Sequence, residues 1–164
     1  MNPDWDNISR QLLNQPAPNP SATYTVMVTD DEPSVRAFIA LVLNGLNVDV
    51  LLASNGRDAQ KILREREREH SRLDLLMADL MMPGMGGKEL ADWVWQKKPM
   101  QKVLFMSGFP ELMARNRWEL SPQMHFLQKP FSPLQLAARV SDVLRIASAV
   151  GQESPTPTPT PSIG

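Results

Sequence analysis

The sequence predicts an α/β fold in which helices cover both faces of a parallel β-sheet. Short apolar runs alternate five times with segments of helical periodicity, and the connections between them are short. This order is typical of parallel strands, which are joined by crossover helices. The third run, residues 73–79, is apolar almost throughout instead of alternating, as expected of a strand buried on both faces.

The composition is that of one ordinary globular domain. The chain has 164 residues, of which 42% are hydrophobic, and a formal net charge of −1. The absence of cysteine excludes thiol catalysis, disulfides and thiolate metal sites, and His70 and His125 are too few for a histidine-rich zinc site. No run approaches the ~18 apolar residues of a membrane span, and no signal peptide is visible. We therefore expect a cytoplasmic protein without membrane contact or general affinity for nucleic acid.

Both ends of the chain differ in composition from the middle. Residues 1–22 are rich in Asn, Pro, Gln and Ser, and we expect a flexible N-terminal arm, with a short docking helix as the alternative. Residues 151–164 repeat Pro-Thr, which favours a disordered, extended tail that is either solvated or a ligand for a Pro-binding module. The folded domain is predicted to span residues 23–150.

In the first half of the domain, turn residues mark the ends of the elements. Tyr24–Thr29 is a β-prone run, and Pro33 suits the first turn of a helix that ends at Asn44. Val48–Ala53 is the second strand, and Asn55 precedes the second helix. The residues expected to face inward have helical spacing, and they are Val35, Phe38, Ile39 and Val42 on the first helix and Ala59, Ile62 and Leu63 on the second.

The second half continues the alternation. After the run at 73–79, a Gly-rich loop leads to a helix at about 88–97, a strand at 102–106 and a fourth helix at 110–120 that carries Trp118. A fifth strand follows at 124–127, and Ser132 caps the last helix, which Pro133 starts. The inward residues predicted for the third and last helices are Leu90, Trp93, Val94, Leu136, Val140, Val143, Leu144 and Ala147.

Asp79, the acid that ends the third apolar run, has two interpretations. It is either a surface carboxylate that accepts a turn amide or a reactive group, because open α/β sheets place ligand sites at the carboxyl ends of their strands. The other strand ends favour the second interpretation. Asp30 and Asp31 follow the first strand, Ser107 follows the fourth, and Lys129 follows the fifth.

Gathered at one edge of the sheet, these side chains suit phosphoryl transfer. Three carboxylates repel one another, and a hard divalent cation such as Mg²⁺ relieves that repulsion. A lysine and a serine hydroxyl add a positive charge and a donor for the oxygens of the moving group. A carboxylate is also an established covalent acceptor of a phosphoryl group.

Four motifs in this arrangement resemble the receiver domains of two-component response regulators. They are VTDDEP at 28–33, MADLMMPGMGG at 77–87, FMSG at 105–108 and FLQKPF at 126–131. Their order and spacing match the family over about residues 24–150. The resemblance implies the flavodoxin-like sheet of order 2-1-3-4-5, an arrangement known for a member of this family. The FLQKPF segment is most similar to receivers of hybrid histidine kinases.

The resemblance also implies roles for individual residues. Asp79 is expected to accept the phosphoryl group, and Lys129 to contact it. Asp30 and Asp31 look like the pair that holds Mg²⁺, with Asp31 as the direct ligand. The remaining implied roles are a metal-ligating main-chain carbonyl at Met81, a switch hydroxyl at Ser107 and a switch aromatic at Phe126, where Tyr is commoner. Met81 and Phe109, two residues beyond Asp79 and Ser107, are expected to shield the phosphoryl group and to slow its hydrolysis.

By resemblance, we expect a stand-alone signalling switch. A sensor histidine kinase or phosphotransfer protein would donate the phosphoryl group, and the output would be contact with an unknown downstream protein, not DNA. The chain would be a monomer or a weak homodimer through the face of the fourth helix, fifth strand and last helix. Its chemistry would be confined to its own phosphorylation and dephosphorylation.

Several alternatives to the switch remain open. Within the receiver class, they are a phosphorelay intermediate and a phosphate sink. Outside it, they are a binding module independent of phosphorylation and a metal-dependent phosphohydrolase. The full set of acids argues against the binding module. Met81 argues against the phosphohydrolase, which usually has a second acid at this position.

Overall fold

The computed structural model describes residues 21–109, 111 and 121–145. In chain order, its elements are β1 (Tyr24–Thr29), α1 (Pro33–Asn44), β2 (Val48–Ala53), α2 (Gly56–Arg68), β3 (Leu75–Asp79), α3 (Gly87–Lys97), β4 (Lys102–Ser107), β5 (Met124–Gln128) and α4 (Pro133–Leu144). The predicted arm and Pro-Thr tail, and the predicted helix at 110–120 with Trp118, lie almost entirely outside the described residues. The helices in the described part are all too short or too polar to cross a membrane.

The five strands form one parallel sheet in the order β2-β1-β3-β4-β5. This confirms the predicted α/β class and the flavodoxin-like order. Strands β1 and β3 are neighbours in the middle of the sheet, with Thr29 opposite Ala78. The carboxyl ends of these two strands therefore lie side by side, and the residues that follow them share one edge of the sheet.

A hydrophobic cluster covers each face of the sheet. Val26, Val28 and Met77 belong to the cluster that packs with α1 and α4. Met27 and Leu76 belong to the cluster that packs with α2 and α3. Because successive strand residues point to opposite faces, a strand with a cluster on each side must be apolar at every position. This explains why all four residues between Asp74 and Asp79 are apolar.

The face that α1 buries differs from the predicted one. Ile39 is fully buried as expected, but Val35, Phe38 and Val42 are only half-buried at the margin of the cluster. The deepest positions of the helix are Arg36, Ala37, Ile39, Ala40 and Leu43. The prediction gave weight to large apolar side chains, whereas small alanines let the helix approach the sheet closely. The buried arginine was not expected on this face.

The element ends agree with the sequence to within two residues. Strand β3 begins at Leu75, later than predicted, because the Asp74 side chain accepts the Thr25 N–H at 2.8 Å and pairs with Arg72. Helix α4 starts at Pro133 with the predicted Ser132 cap, whose hydroxyl and backbone bond reciprocally with Gln135. The predicted stripe of α4 is buried at Leu136, Val140, Val143 and Leu144, and Ala147 lies outside the described residues.

Candidate functional site

The polar side chains singled out from the sequence meet at the carboxyl edge of the sheet. Asp30 follows β1, Asp79 is the last residue of β3, Ser107 is the last residue of β4, and Lys129 follows β5. The main chain fixes these neighbours, since the Lys129 N–H donates to the Ser107 carbonyl at 2.8 Å. The strand order therefore brings together groups that lie up to 99 residues apart in the sequence.

Three carboxylates form the centre of the site. One oxygen from each of Asp30, Asp31 and Asp79 lies within 4.8 Å of the others. Asp30 is fully buried, Asp79 is 7% exposed, and Asp31 is open to solvent. A buried negative charge is costly unless a cation or hydrogen-bond donors compensate it. The cluster therefore requires positive charge nearby.

Lys129 supplies part of that charge. Its ammonium nitrogen lies 2.7 Å from Asp30 Oδ2 and 3.3 Å from Asp79 Oδ2. Burial by itself would lower the pKa of Lys129, but its hydrogen bonds and attraction to the two carboxylates raise that pKa above its usual value. The lysine thus stays cationic at neutral pH and bridges the two buried acids.

The negative charge of the Asp79 carboxylate remains poorly compensated despite its contact with Lys129. Burial raises the pKa of its carboxyl group, and the nearby negative charge of Asp30 adds to this, against the lowering by Lys129 and by the Met81 N–H. That N–H donates to Asp79 Oδ1 at 3.2 Å. Three acids facing one lysine leave an excess of negative charge at a partly open edge.

The donor set fits Mg²⁺. Carboxylate and carbonyl oxygens are the ligands that this ion prefers, and the described residues of the site present carboxylates with unbalanced negative charge. The positive charge of a divalent ion would offset the desolvation that raises the pKa of Asp79. Asp30, Asp31 and Asp79 have the chemistry to hold such an ion, and the Met81 carbonyl lies in the adjacent loop.

Ser107 and its neighbours form the rim of the site. The Ser107 side chain is buried, and its hydroxyl accepts the Phe109 N–H at 3.0 Å. The side chains of Met81 and Phe109 are 60% and 63% exposed, so two bulky apolar groups stand at the mouth. They extend into solvent and do not join either core cluster. This placement is compatible with the shielding predicted for them, which stays a prediction.

Phe126 lies behind the site, on β5. Its ring is half-buried and packs against Phe105 with the ring centroids 5.7 Å apart. Phe105 is the β4 residue opposite Phe126 and is fully buried. Phe126 thus contacts the core next to the strand that ends at Ser107. Its role as a switch aromatic stays a prediction.

The loop after Asp79 is tightly packed. Gly84 has a φ of 77°, a left-handed conformation that strains other residues. A Cβ on Gly87 would lie 2.3 Å from the Asp79 carbonyl oxygen, so only glycine fits there without displacing the main chain. A Cβ on Gly56 would lie 2.5 Å from Met85 Cγ, so the loop also rests on the start of α2. These contacts fix the main chain around Asp79.

Sequence reasoning missed Arg36. This side chain is 5% exposed, and its Nη1 atom donates to the Asp30 carbonyl oxygen at 2.7 Å. The signal in the sequence was a charged residue five positions after Asp31, on a helix face that is otherwise apolar. Arginine is usually exposed to solvent, so its position in the sequence did not indicate that it would lie in the site.

The comparisons with known proteins agree with this geometry. The chain matches the family model of the response regulator receiver domain over residues 26–141. The chain belongs to this family. As a receiver domain of two-component signalling, it has the strand order and the acidic edge that its sequence motifs implied.

Relatives of this receiver domain come from several kinds of signalling protein. Its sequence is 32% identical over 124 residues to the sensor kinase CckA of Brucella abortus. This alignment covers 76% of this chain and 13% of that protein. It is 28% identical over 139 residues to the phosphate regulon transcriptional regulatory protein PhoB of Pseudomonas aeruginosa. This second alignment covers 80% of this chain and 56% of that protein. The chain thus spans a small part to about half of these relatives.

Solved structures show the same fold. The receiver domain of the hybrid histidine kinase CckA superposes with a TM-score of 0.60 at 29% identity, over 73% of this chain and 98% of that one. The chemotaxis protein CheY4 of Vibrio cholerae superposes with a TM-score of 0.63 at 25% identity, over 74% and 99%.

Proposed function

We propose that this receiver domain accepts a phosphoryl group on Asp79 from a phosphohistidine of a sensor histidine kinase or phosphotransfer protein, and signals by protein contact. The observation that carries the proposal is the poorly compensated Asp79 carboxylate, which has Lys129 at 3.3 Å and two further acids within reach of one cation. A structural acid needs no such surroundings. A phosphoacceptor does, because negative charge increases there during transfer.

The transfer uses the groups in fixed positions. An oxygen of the Asp79 carboxylate attacks phosphorus, the new P–O bond forms as the P–N bond to the donor imidazole breaks, and the imidazole leaves with the electron pair of that bond. Lys129, already beside Asp79 Oδ2, stabilises the phosphoryl oxygens. Bound Mg²⁺, held by the three carboxylates and the Met81 carbonyl, would supply further charge neutralisation. The Met81 N–H keeps the carboxylate oriented.

The surface beside Lys129 supports a protein as donor. A groove of about 480 Å³ opens there between the start of α1 and the loop after β5. Phe38 and Phe131 form its apolar wall, with their ring centroids 6.1 Å apart. The groove leads directly to the ammonium group that contacts Asp79. We take its occupant to be the helix that carries the phosphohistidine, because an apolar wall next to the reactive groups would hold an amphipathic helix.

Acetyl phosphate is the direct test of the acceptor. We expect the full chain, incubated with acetyl phosphate and Mg²⁺, to gain the mass of one phosphoryl group. Asp79→Asn should abolish the gain, and Asp92→Asn should not, because Asp92 is an exposed acid of α3 that pairs with Lys88 outside the site. Stable uptake supports the switch, rapid release of phosphate indicates a hydrolase, and no uptake indicates a binding module.

Comparing a small phosphodonor with a protein phosphodonor tests whether the groove is a docking surface. Phe38→Ala should leave uptake from acetyl phosphate unchanged and slow the transfer from a phosphorylated histidine kinase encoded near the gene. Met100→Ala, which removes an exposed apolar side chain at the opposite end of the sheet, should affect neither reaction. Equal slowing with both donors would show that the groove acts through the fold and not as a docking surface.

A further inference from the structure

Arg36 is a buried cation directly beneath the acidic pair. Among the described residues, it is the only buried lysine or arginine, with 5% of its surface exposed. Burial lowers its pKa, and the charges of Asp30, Asp31 and Asp58 oppose that shift. An arginine stays protonated in such a setting. The side chain therefore places a permanent positive charge next to the proposed cation site.

Arg36 completes the fixation of Asp30. The Asp30 N–H donates to the Ala53 carbonyl at 3.2 Å, and its carbonyl accepts from Arg36 at 2.7 Å. Its Oδ1 accepts the Glu32 N–H at 2.9 Å, and its Oδ2 accepts from Lys129 at 2.7 Å. Every polar atom of Asp30 thus has a partner, and its rotation is restricted at both the main chain and the side chain.

The bond from Arg36 also reaches the exposed acid. The Asp30 carbonyl belongs to the planar peptide unit that links Asp30 to Asp31. Holding that oxygen sets the orientation of the peptide plane, and with it the positions of the Asp31 N and Cα atoms from which the side chain departs. A single guanidinium therefore restrains the main chain that carries both carboxylates.

Charge and position predict opposite effects on cation binding. The positive charge of Arg36 repels a divalent cation, so its removal should strengthen binding if the field dominates. Its hydrogen bond holds the ligands in place, so its removal should weaken binding if geometry dominates. We propose that Arg36 is a positioning residue of the acidic pair, and that its bond to the Asp30 carbonyl sustains divalent-cation affinity in spite of its charge. This inference rests on the proposed function of the site.

Calorimetric titration of the full chain with MgCl₂ separates the two effects. Arg36→Met keeps most of the apolar stem without charge or donor, and we expect Mg²⁺ to bind on the order of tenfold more weakly, as for the loss of a hydrogen bond from a charged group. Lys61→Met is the matched control, because Lys61 and Arg36 both line a groove of about 430 Å³ between the end of β2 and α2. It removes a positive charge from that groove, and we expect an affinity within about twofold of wild type.

Arg36→Lys provides the second variant. It retains the charge and one donor but not the planar fork, so its affinity should lie between those of wild type and Arg36→Met. If Arg36→Met does not fold, as judged by circular dichroism, Arg36→Lys decides alone: affinity equal to wild type overturns the inference. Equal or tighter binding by folded Arg36→Met also overturns it. A wild-type chain that binds no Mg²⁺ overturns the proposed cation site itself and this inference with it.

Discussion

A methyl group on Gly87 would collide with the main chain of the proposed phosphoacceptor. Its Cβ would lie 2.3 Å from the Asp79 carbonyl oxygen, 2.9 Å from the Asp79 carbonyl carbon and 3.2 Å from the Ala78 Cβ. These neighbours belong to a buried central strand and cannot swing aside as a flexible side chain would. Gly87→Ala therefore forces the loop or the end of β3 to move by several tenths of an ångström.

The energetic cost follows from that displacement. Overpacking a well-packed site typically costs about 1–3 kcal/mol. Replacing glycine in a helix interior recovers up to about 1 kcal/mol, and less at Gly87 because it is the first residue of α3. We expect a net loss of about 1–2 kcal/mol in the free energy of unfolding. With a denaturant slope of about 1–3 kcal/mol per molar for a small domain, the urea midpoint should fall by roughly 1 M.

The same displacement should slow phosphorylation. Misplacing a reacting group by 1 Å can cost about 100-fold in rate, and a smaller shift at Asp79 should cost on the order of tenfold. Urea unfolding followed by circular dichroism measures the stability, and mass spectrometry after addition of acetyl phosphate measures the uptake. Gly45→Ala is the control, because its Cβ would lie at an ordinary 3.4 Å from the Val42 carbonyl oxygen and its φ is −75°.

Two measurements on Gly87→Ala can contradict this prediction. If Gly87→Ala unfolds at the same urea concentration as Gly45→Ala and takes up phosphate at the wild-type rate, the loop yields at no cost. The close packing around Asp79 would then not position the acceptor. Loss of stability with a normal uptake rate would separate the two claims and refute the functional one alone.

Three further predictions concern single side chains of the same edge. Thr29 is fully buried and its hydroxyl has no hydrogen-bond partner among the described residues, so Thr29→Val should raise the free energy of unfolding by about 1 kcal/mol; an unchanged urea midpoint would contradict this. Burial raises the pKa of Asp79 in the folded chain above its value in the unfolded chain. The contribution of Asp79 to the free energy of unfolding is therefore fully present at a pH below its unfolded-state pKa, and it is lost as the pH rises through its folded-state pKa. Asp79→Asn should therefore be more resistant to urea than wild type at pH 7 and equal to it in acid, and a difference independent of pH would refute the assignment. Finally, the exposed apolar side chains of Met81 and Phe109 cannot orient water, so Met81→Asn with Phe109→Glu should speed phosphate release from the phosphorylated chain on the order of tenfold, and an unchanged rate would exclude shielding.

The sheet was predictable because its signals are local. An unbroken apolar run, as at residues 75–78, has one explanation when helical segments flank it, namely a strand covered on both faces. Proline and a capping serine mark helix starts through their own backbone preferences, and α1 and α4 begin at Pro33 and Pro133 accordingly. Such signals need no knowledge of distant contacts.

The inward face of α1 was harder to predict. Periodicity ranks positions by hydrophobicity and selected Phe38 and Val42, but close approach to the sheet depends on size and favours Ala37 and Ala40. The same packing buries Arg36, whose cost is offset by a hydrogen bond to a carbonyl at the end of β1. A contact of that kind is specified by the position of the strand relative to the helix, which the local pattern does not contain.

By itself, the sequence determined the family and fold class of this receiver domain and the strand ends at which its candidate site residues lie. Asp30, Asp31, Asp79 and Lys129 were identified from strand-end positions and from four family motifs. Only the tertiary structure decided how their charges compensate one another: Lys129 bridges Asp30 and Asp79, while Asp31 stays exposed. The physical reason is that charge compensation depends on distances of a few ångströms and on burial, and both arise only when the strands are ordered and the helices are packed.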